Sequence, residues 1–151
     1  MDRLGVDICH LGNKNLLVMV DMFSNYKWVK ELKKLSSDEV IKIMEGWFCS
    51  AGLPRCIRSY GGPQFRSTYA NWLASLGIIQ ETSSPYNSAS NGLAEKAIKD
   101  IKNVLKRQEG KYDMDRLIAE YNSIARTHMD ASPADLFFNH VVRSSTPGSG
   151  I

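Results

Sequence analysis

Four charged residues of this 151-residue sequence fall on one helical face: Glu95, Lys99, Lys102 and Lys106, at i, i+4, i+7 and i+11. Ammonium groups stacked along a helix can contact a phosphate backbone without reading its sequence, and such contact weakens steeply as salt rises. Residues 95–111 hold six Lys or Arg against three acids, an excess equal to the whole chain's net charge of +3. A solvated helix face, with Glu95 and Lys99 as a modest i,i+4 pair, has the same pattern, and the sequence leaves both readings open. A second basic group, Lys27, Lys30, Lys33 and Lys34, reads as charge that keeps an edge strand soluble. His10, His128 and His140 are too scattered to suggest a metal centre. Cys9, Cys49 and Cys56 match neither a zinc site nor a redox pair, which favours a reducing compartment.

The elements that must position these groups are legible in the hydrophobic pattern. Leu4–Cys9 reads as a strand, a turn follows at Gly12-Asn13, and Leu16–Asp21 is apolar enough for a central strand. Tyr26–Leu32 alternates large apolar with charged residues, as an edge strand covered on one face does. Ser36 and Glu39 then form a capping box for a helix whose Val40, Ile41, Met44, Trp47 and Phe48 recur at helical spacing until Gly52 and Pro54. Cys56–Ser59 is a short strand. Ser67–Leu76 is a helix with Tyr69, Trp72, Leu73 and Leu76 at core spacing, and Ile78–Thr82 is a further strand. A long helix runs from about Asn91 to Arg107, another covers about Met114–Arg126, and Pro133–Phe138 makes a short helical turn. A three-strand meander followed by helix-linked strands predicts an α/β fold, a mixed sheet with helices on both faces.

Composition supports one globular domain: 43% of residues are apolar and 23% charged. The longest apolar run, Leu16–Val20, is far short of a bilayer span, and no secretory leader pattern opens the chain. An intracellular protein without membrane partners is therefore expected. The abrupt start suggests a domain cut from a longer protein, with residues 1–143 as the core and residues 144–151, rich in Ser, Pro and Gly, as a flexible tail.

More specific strings lie within this order. GVDICHLGNKNLLVMVDMFSNY, AGLPRCIRSYGGPQF, LGI and SSPYNSASNGLAEKAIKDIKNVL, followed by RTHMDASPADLFF, together resemble the catalytic core of retroviral and gypsy-like LTR-retrotransposon integrases over about Leu4–Phe138. The resemblance implies an RNase H-like fold with sheet order 3-2-1-4-5. It also implies DNA cutting and joining by two divalent metals held by Asp, Asp and Glu. Asp7 matches the first catalytic Asp and Glu95 the catalytic Glu. The second Asp belongs in a DNGPQF string, and this chain reads YGGPQF, with Tyr60 at the Asp position and Gly61 at the Asn position. The resemblance assigns DNA contact to Gln64, Tyr86, Asn91, Lys99, Lys102 and Lys106, and homodimerisation to helices matching Ser36–Cys49 and Met114–Arg126. Residence in the nucleus or cytoplasm is expected, the nucleus on the ground of the resemblance alone.

Two-metal phosphoryl transfer needs anionic oxygens to hold hard, strongly hydrated cations about 3.5–4 Å apart. A tyrosine offers a neutral phenol at neutral pH, its reference pKa being about 10, and its ring is bulkier than a carboxylate. Tyr60 could stack on a nucleotide or plug the former metal cavity, and a large ring beside two glycines favours the plug. Asp21 cannot replace the missing acid. With the turn at Gly12-Asn13, Asp7 faces Val18, which leaves Asp21 about 10 Å along the neighbouring strand. Two softer departures accompany the first. The family pattern has one more residue between positions 60 and 95, and Asn87, Ser88 and Ala89 stand where it has His or Asn, Pro and Gln.

The expectation is a catalytically inactive integrase-like core, reused from a domesticated retroelement as a dimerising protein-interaction or DNA-associated module. Asp7 and Glu95 remain as a relic pair whose metal binding is weak or lost. No cofactor is expected, and any residual activity would need Mg²⁺ or Mn²⁺. The alternatives are a weakly active metal-dependent polynucleotidyl transferase or nuclease, and a scaffold that binds no nucleic acid.

Overall fold

A computed structural model describes residues 2–59, 62–81, 88–107, 113–123 and 131–138, with the side chains of 88–95 and 97 outside the description. Strands β1 (Arg3–Leu11), β2 (Lys14–Asp21) and β3 (Lys27–Leu32) form the meander. Helix α1 (Ser37–Ala51), strand β4 (Cys56–Ser59), a 3-10 turn at Pro63–Phe65, helix α2 (Thr68–Ser75) and strand β5 (Ile79–Glu81) follow. Helices α3 (Ser88–Arg107) and α4 (Met114–Ser123) complete the named elements. The sheet order is β3-β2-β1-β4-β5, antiparallel on the meander side and parallel where β4 joins β1 and β5 joins β4. It is an α/β, RNase H-like fold, as expected.

The expected turn at Gly12-Asn13 sets the register, and Asp7 does pair with Val18. Gly12 takes φ +56°, a conformation that costs glycine little. Side chains alternate across β1, and the sheet buries both faces. Leu4, Val6 and Ile8 join Leu17, Met19 and Ile57 against α1 and α2. Cys9 and Leu11 join Val18, Val20 and Val29 against Ile98, Ile101 and Leu105 of α3 and Ile118 of α4. Asp7 shares the parity of Cys9 and therefore looks toward α3.

Local chemistry fixes the elements much as the sequence suggests. Ser36 Oγ accepts from the Glu39 amide at 3.2 Å, and Gly52, at φ +92°, caps the other end of α1 by donating to Phe48 O. Helix α3 begins at Ser88, three residues before the expected start. Residues 124–126 of the expected fourth helix, like the tail at 144–151, lie outside the described residues. Residues 133–138 are helical, closed by a reciprocal box in which Ser132 Oγ accepts from the Asp135 amide and Asp135 Oδ2 from the Ser132 amide. Phe137 stacks on Tyr26 with centroids 4.8 Å apart, tying this segment to the meander.

Two expectations fail. Leu76, counted with the core, is 36% exposed, because α2 ends at Ser75 and turns outward there. Lys27, counted as edge-strand charge, is 1% exposed. Its ammonium donates to Asn25 O at 2.6 Å and lies 4.4 Å from the centre of the Tyr121 ring on α4. The Lys27 backbone is clamped by Asn122, whose Oδ1 accepts from its amide at 2.9 Å and whose Nδ2 donates to its carbonyl at 3.0 Å. The outer edge of β3 is thereby covered at this residue. Lys30, Lys33 and Lys34 are exposed, as expected.

Candidate active-site relic and basic helix

The middle of β1 carries Asp7 to the surface beside the 3-10 turn. A cleft of about 180 Å³ there is lined by Asp7, Ile8, His10, Leu35 and residues 62–65. The turn is held from three sides. Ser37 Oγ donates to Gln64 O at 2.9 Å, Gln80 Nε2 donates to Phe65 O at 3.2 Å, and the buried Phe65 ring meets Tyr69 edge-on at 5.1 Å. The Gln64 side chain folds back over Gly62, where an added Cβ would sit 2.5 Å from Oε1 and turn the amide aside. Gln64 is thus brought to the same cleft as Asp7. Tyr69 in turn reaches Ser59, the last residue of β4, with 2.8 Å between the two hydroxyls.

Both oxygens of Asp7 are engaged. Oδ1 accepts from the Ile8 amide at 2.7 Å, and Oδ2 pairs with Lys102 Nζ at 2.7 Å. The two side chains are only 15% and 26% exposed, so this contact is screened less than a surface ion pair. The pair exists because α3 packs Ile98, Ile101 and Leu105 onto the sheet, and Lys102, one turn beyond Ile98, borders that apolar stripe beside Asp7. The nearby Cys9 thiol is held above its ordinary pKa by burial, with Lys102 and Lys106 pulling the other way. Lys99 and Lys106 are exposed.

The remaining expected site residues divide simply. Tyr60, Gly61 and Tyr86 lie outside the described residues. Asn91 and Glu95 are on the backbone of α3, Glu95 two turns before Lys102, and their side chains are outside the description. Asp21 is remote from the site. It pairs with Leu4, and its Oδ2 accepts from the Ser24 amide at 3.0 Å and the Ser24 hydroxyl at 2.6 Å, closing the β2–β3 turn.

The Asp7–Lys102 pair is what sequence reasoning missed. Its signal was present in two periodicities: Asp7 alternates with Cys9 and Leu11 on β1, and Lys102 lies four residues after Ile98. Among the described residues Asp7 is the one acid lining the cleft, and both its oxygens have partners. Among the described residues no group of three or more His, Cys, Asp or Glu is placed to hold a metal. Among them, too, no helix is long and apolar enough to cross a membrane.

Comparison with known proteins points in one direction. No protein-family model matches the chain. The chain is 34% identical over 95 residues, 62% of its length, to the Pro-Pol polyprotein of simian foamy virus type 3, strain LK3. It is 28% identical over 151 residues, 95% of its length, to an uncharacterized protein of Caenorhabditis elegans. It spans only 8% and 12% of these two relatives. Among solved structures, a chain of the simian T-cell lymphotropic virus intasome in complex with a PP2A regulatory subunit, B56 gamma, superposes with a TM-score of 0.71. That match has 26% identity and covers 90% of this chain and 54% of that one. The catalytic core domain of BIV integrase superposes with a TM-score of 0.75 at 19% identity, covering 95% of this chain and 98% of that one, a likeness of fold.

Proposed function

The chain carries an integrase-like core, and we propose that this core is catalytically silent: a domesticated retroelement domain that acts as a dimerising, DNA-associated module. The observation that carries the reading is Tyr60, a neutral phenol in the string YGGPQF where the chemistry requires a second carboxylate. The engagement of both Asp7 oxygens supports it. Without anionic oxygens to gather divalent cations, the attacking water and the scissile phosphate meet with little charge stabilisation. What the chain's own residues retain is binding chemistry. Lys99 and Lys106 project from α3 as exposed cations suited to phosphate, while Gln64 borders the cleft.

Dimerisation is proposed through α1 and α4, which pack against β3 from opposite faces of the sheet. Sedimentation at tens of micromolar should give a dimer mass, and a monomer throughout that range would remove this part of the reading. Silence is tested by assaying DNA cleavage and joining with Mg²⁺ and with Mn²⁺ for the natural chain and for Tyr60→Asp with Gly61→Asn. The natural chain should give no product. Turnover by it that is abolished in Asp7→Ala would reject the proposal.

A further inference from the structure

We infer that the outer edge of β3 is a docking site for an extended acidic peptide of a partner protein, which pairs antiparallel with residues 29–31 and sets its carboxylates against Lys30, Lys33 and Lys34. Backbone hydrogen bonding alternates along a strand, successive residues turning to opposite sides. Tyr26 O turns toward β2, where it accepts from the Asp21 amide, and the Lys27 amide and carbonyl turn away to Asn122. Val29 and Glu31 share the parity of Lys27, so their amides and carbonyls also face outward, while Trp28 and Lys30 bond to Met19 and Leu17 of β2. The Asn122 side chain exchanges two bonds with Lys27 as a residue of a neighbouring strand would. The pairing stops there: among the described residues no hydrogen bond reaches the Val29 or Glu31 backbone from outside the sheet.

Charge selects the occupant. Residues 30–34 read KELKK, three lysines against one acid, and all but Leu32 are exposed. Lys14, next to the Leu32 partner Asn15, adds an exposed cation at the same end of the sheet. A second copy fits poorly, because antiparallel self-pairing that lets Val29 and Glu31 exchange bonds puts Lys30 directly opposite Lys30, and like charges so placed are destabilising. The lysines that deter a like strand attract an acidic one. Strand addition of this kind takes affinity from the main chain and specificity from alternate side chains.

The probe is a fluorescein-labelled heptapeptide alternating Glu with Val, titrated with the full chain and followed by anisotropy. With its acids opposite Lys30, its Val residues oppose Val29 and Glu31 and supply the bonding amides. N-methylation of the Val residues should therefore weaken binding at least about fivefold, and N-methylation of the Glu residues should not. Glu31→Pro removes the outward donor at an exposed edge position, where proline is tolerated. It should bind at least about fivefold more weakly than Glu31→Ala, which loses the same charge and keeps the amide. Replacing Lys30, Lys33 and Lys34 with Ser should also weaken binding, and a peptide alternating Lys with Val should not bind.

Melting temperatures report whether Glu31→Pro is folded; if it is not, the two N-methylated peptides decide. No binding of the acidic peptide, equal effects of the two N-methylations, or equal affinities of Glu31→Pro and Glu31→Ala would overturn the inference. Duplex DNA that displaces the peptide through the three lysines, indifferent to Glu31→Pro, would give the patch to nucleic acid and overturn it too. A natural dimer that becomes a monomer in Glu31→Pro would give the edge to a second copy, with the same result. None of these readouts involves DNA cleavage, so catalytic silence stands or falls separately.

Discussion

At the scale of single residues, Asp7 stands in an attractive pair with Lys102. In a site where acids gather to hold a metal, neutralising one relieves repulsion and stabilises the metal-free fold. Asp7 is bound to Lys102 at 2.7 Å, so the opposite is expected here. Asp7→Asn should lower stability by about 1–2 kcal/mol, since a charged, partly screened hydrogen bond is lost. For a domain of this size that is about 3–6 °C in melting temperature. Lys102→Met should cost a similar amount, and the double variant should cost less than the two combined, the mark of a direct contact in a double-mutant cycle. A rise in melting temperature for Asp7→Asn in calorimetry would show that repulsion still dominates at Asp7.

The acid itself, its strand and its pairing with Val18 were all legible in the sequence, because a turn at Gly12-Asn13 leaves few registers open. The lysine was not. Lysines at i+4, i+7 and i+11 from Glu95 look alike in a one-dimensional pattern, and only the packing of Ile98 and Ile101 shows that the middle one borders the sheet. Lys27 failed for the same reason. Strand alternation gives its place, but the partners that make its burial tolerable, Tyr121 and Asn122, lie more than ninety residues away.

At the scale of elements, two joints can be tested separately. Asn122 ties α4 to the backbone of β3 at both the amide and the carbonyl of Lys27, with its side chain buried. Asn122→Ala leaves two backbone groups without these partners and should cost about 2–3 kcal/mol in denaturant unfolding. Asn122→Asp keeps the acceptor for the Lys27 amide and loses the donor to its carbonyl, so its midpoint should also fall below that of the natural chain. Equal midpoints for the natural chain and Asn122→Ala would mean that α4 is held by Ile118 and its apolar neighbours alone.

The second joint is the exposed side of α3. If Lys99 and Lys106 each neutralise one phosphate, replacing both with Ala should weaken duplex binding and reduce the slope of log affinity against log salt by about 2. Fluorescence anisotropy between 50 and 200 mM salt is the measurement. An unchanged slope, or no binding by the natural chain, would favour a scaffold that leaves nucleic acid alone. The helix boundaries follow from local signals where those exist. The capping box at Ser36 and Gly52 at the other end gave α1 nearly to the residue, whereas α3 starts three residues early in a segment whose sequence offers no comparable stop.

At the scale of the whole molecule, two apolar layers clasp one five-stranded sheet, and the cysteines report on them. Cys9 and Cys56 are buried on different elements while Cys49 is exposed on α1. One thiol per native chain should react rapidly with a neutral alkylating reagent at pH 8, and the other two only after unfolding. Burial, reinforced by Glu81, raises the Cys56 thiol from an ordinary 9.0 to about 11, and burial raises Cys9 as well. These groups stay neutral in the fold after they would ionise in the unfolded chain. Their contribution is complete below about pH 9 and is lost as pH climbs toward 11. Thermal melts from pH 8 to 11 should therefore show a falling midpoint, and substituting Ala for Cys56 should flatten part of that fall.

The overall architecture was readable because a meander followed by helix-linked strands admits few arrangements of strands, while the proposed catalytic silence rests on one acid absent from the sequence string around Tyr60. The most direct measurement is single-turnover nicking of supercoiled plasmid in Mn²⁺ by the natural chain and by Asp7→Ala. Catalytic silence predicts the same background rate for both. Nicking by the natural chain that rises with its concentration and disappears in Asp7→Ala would contradict it.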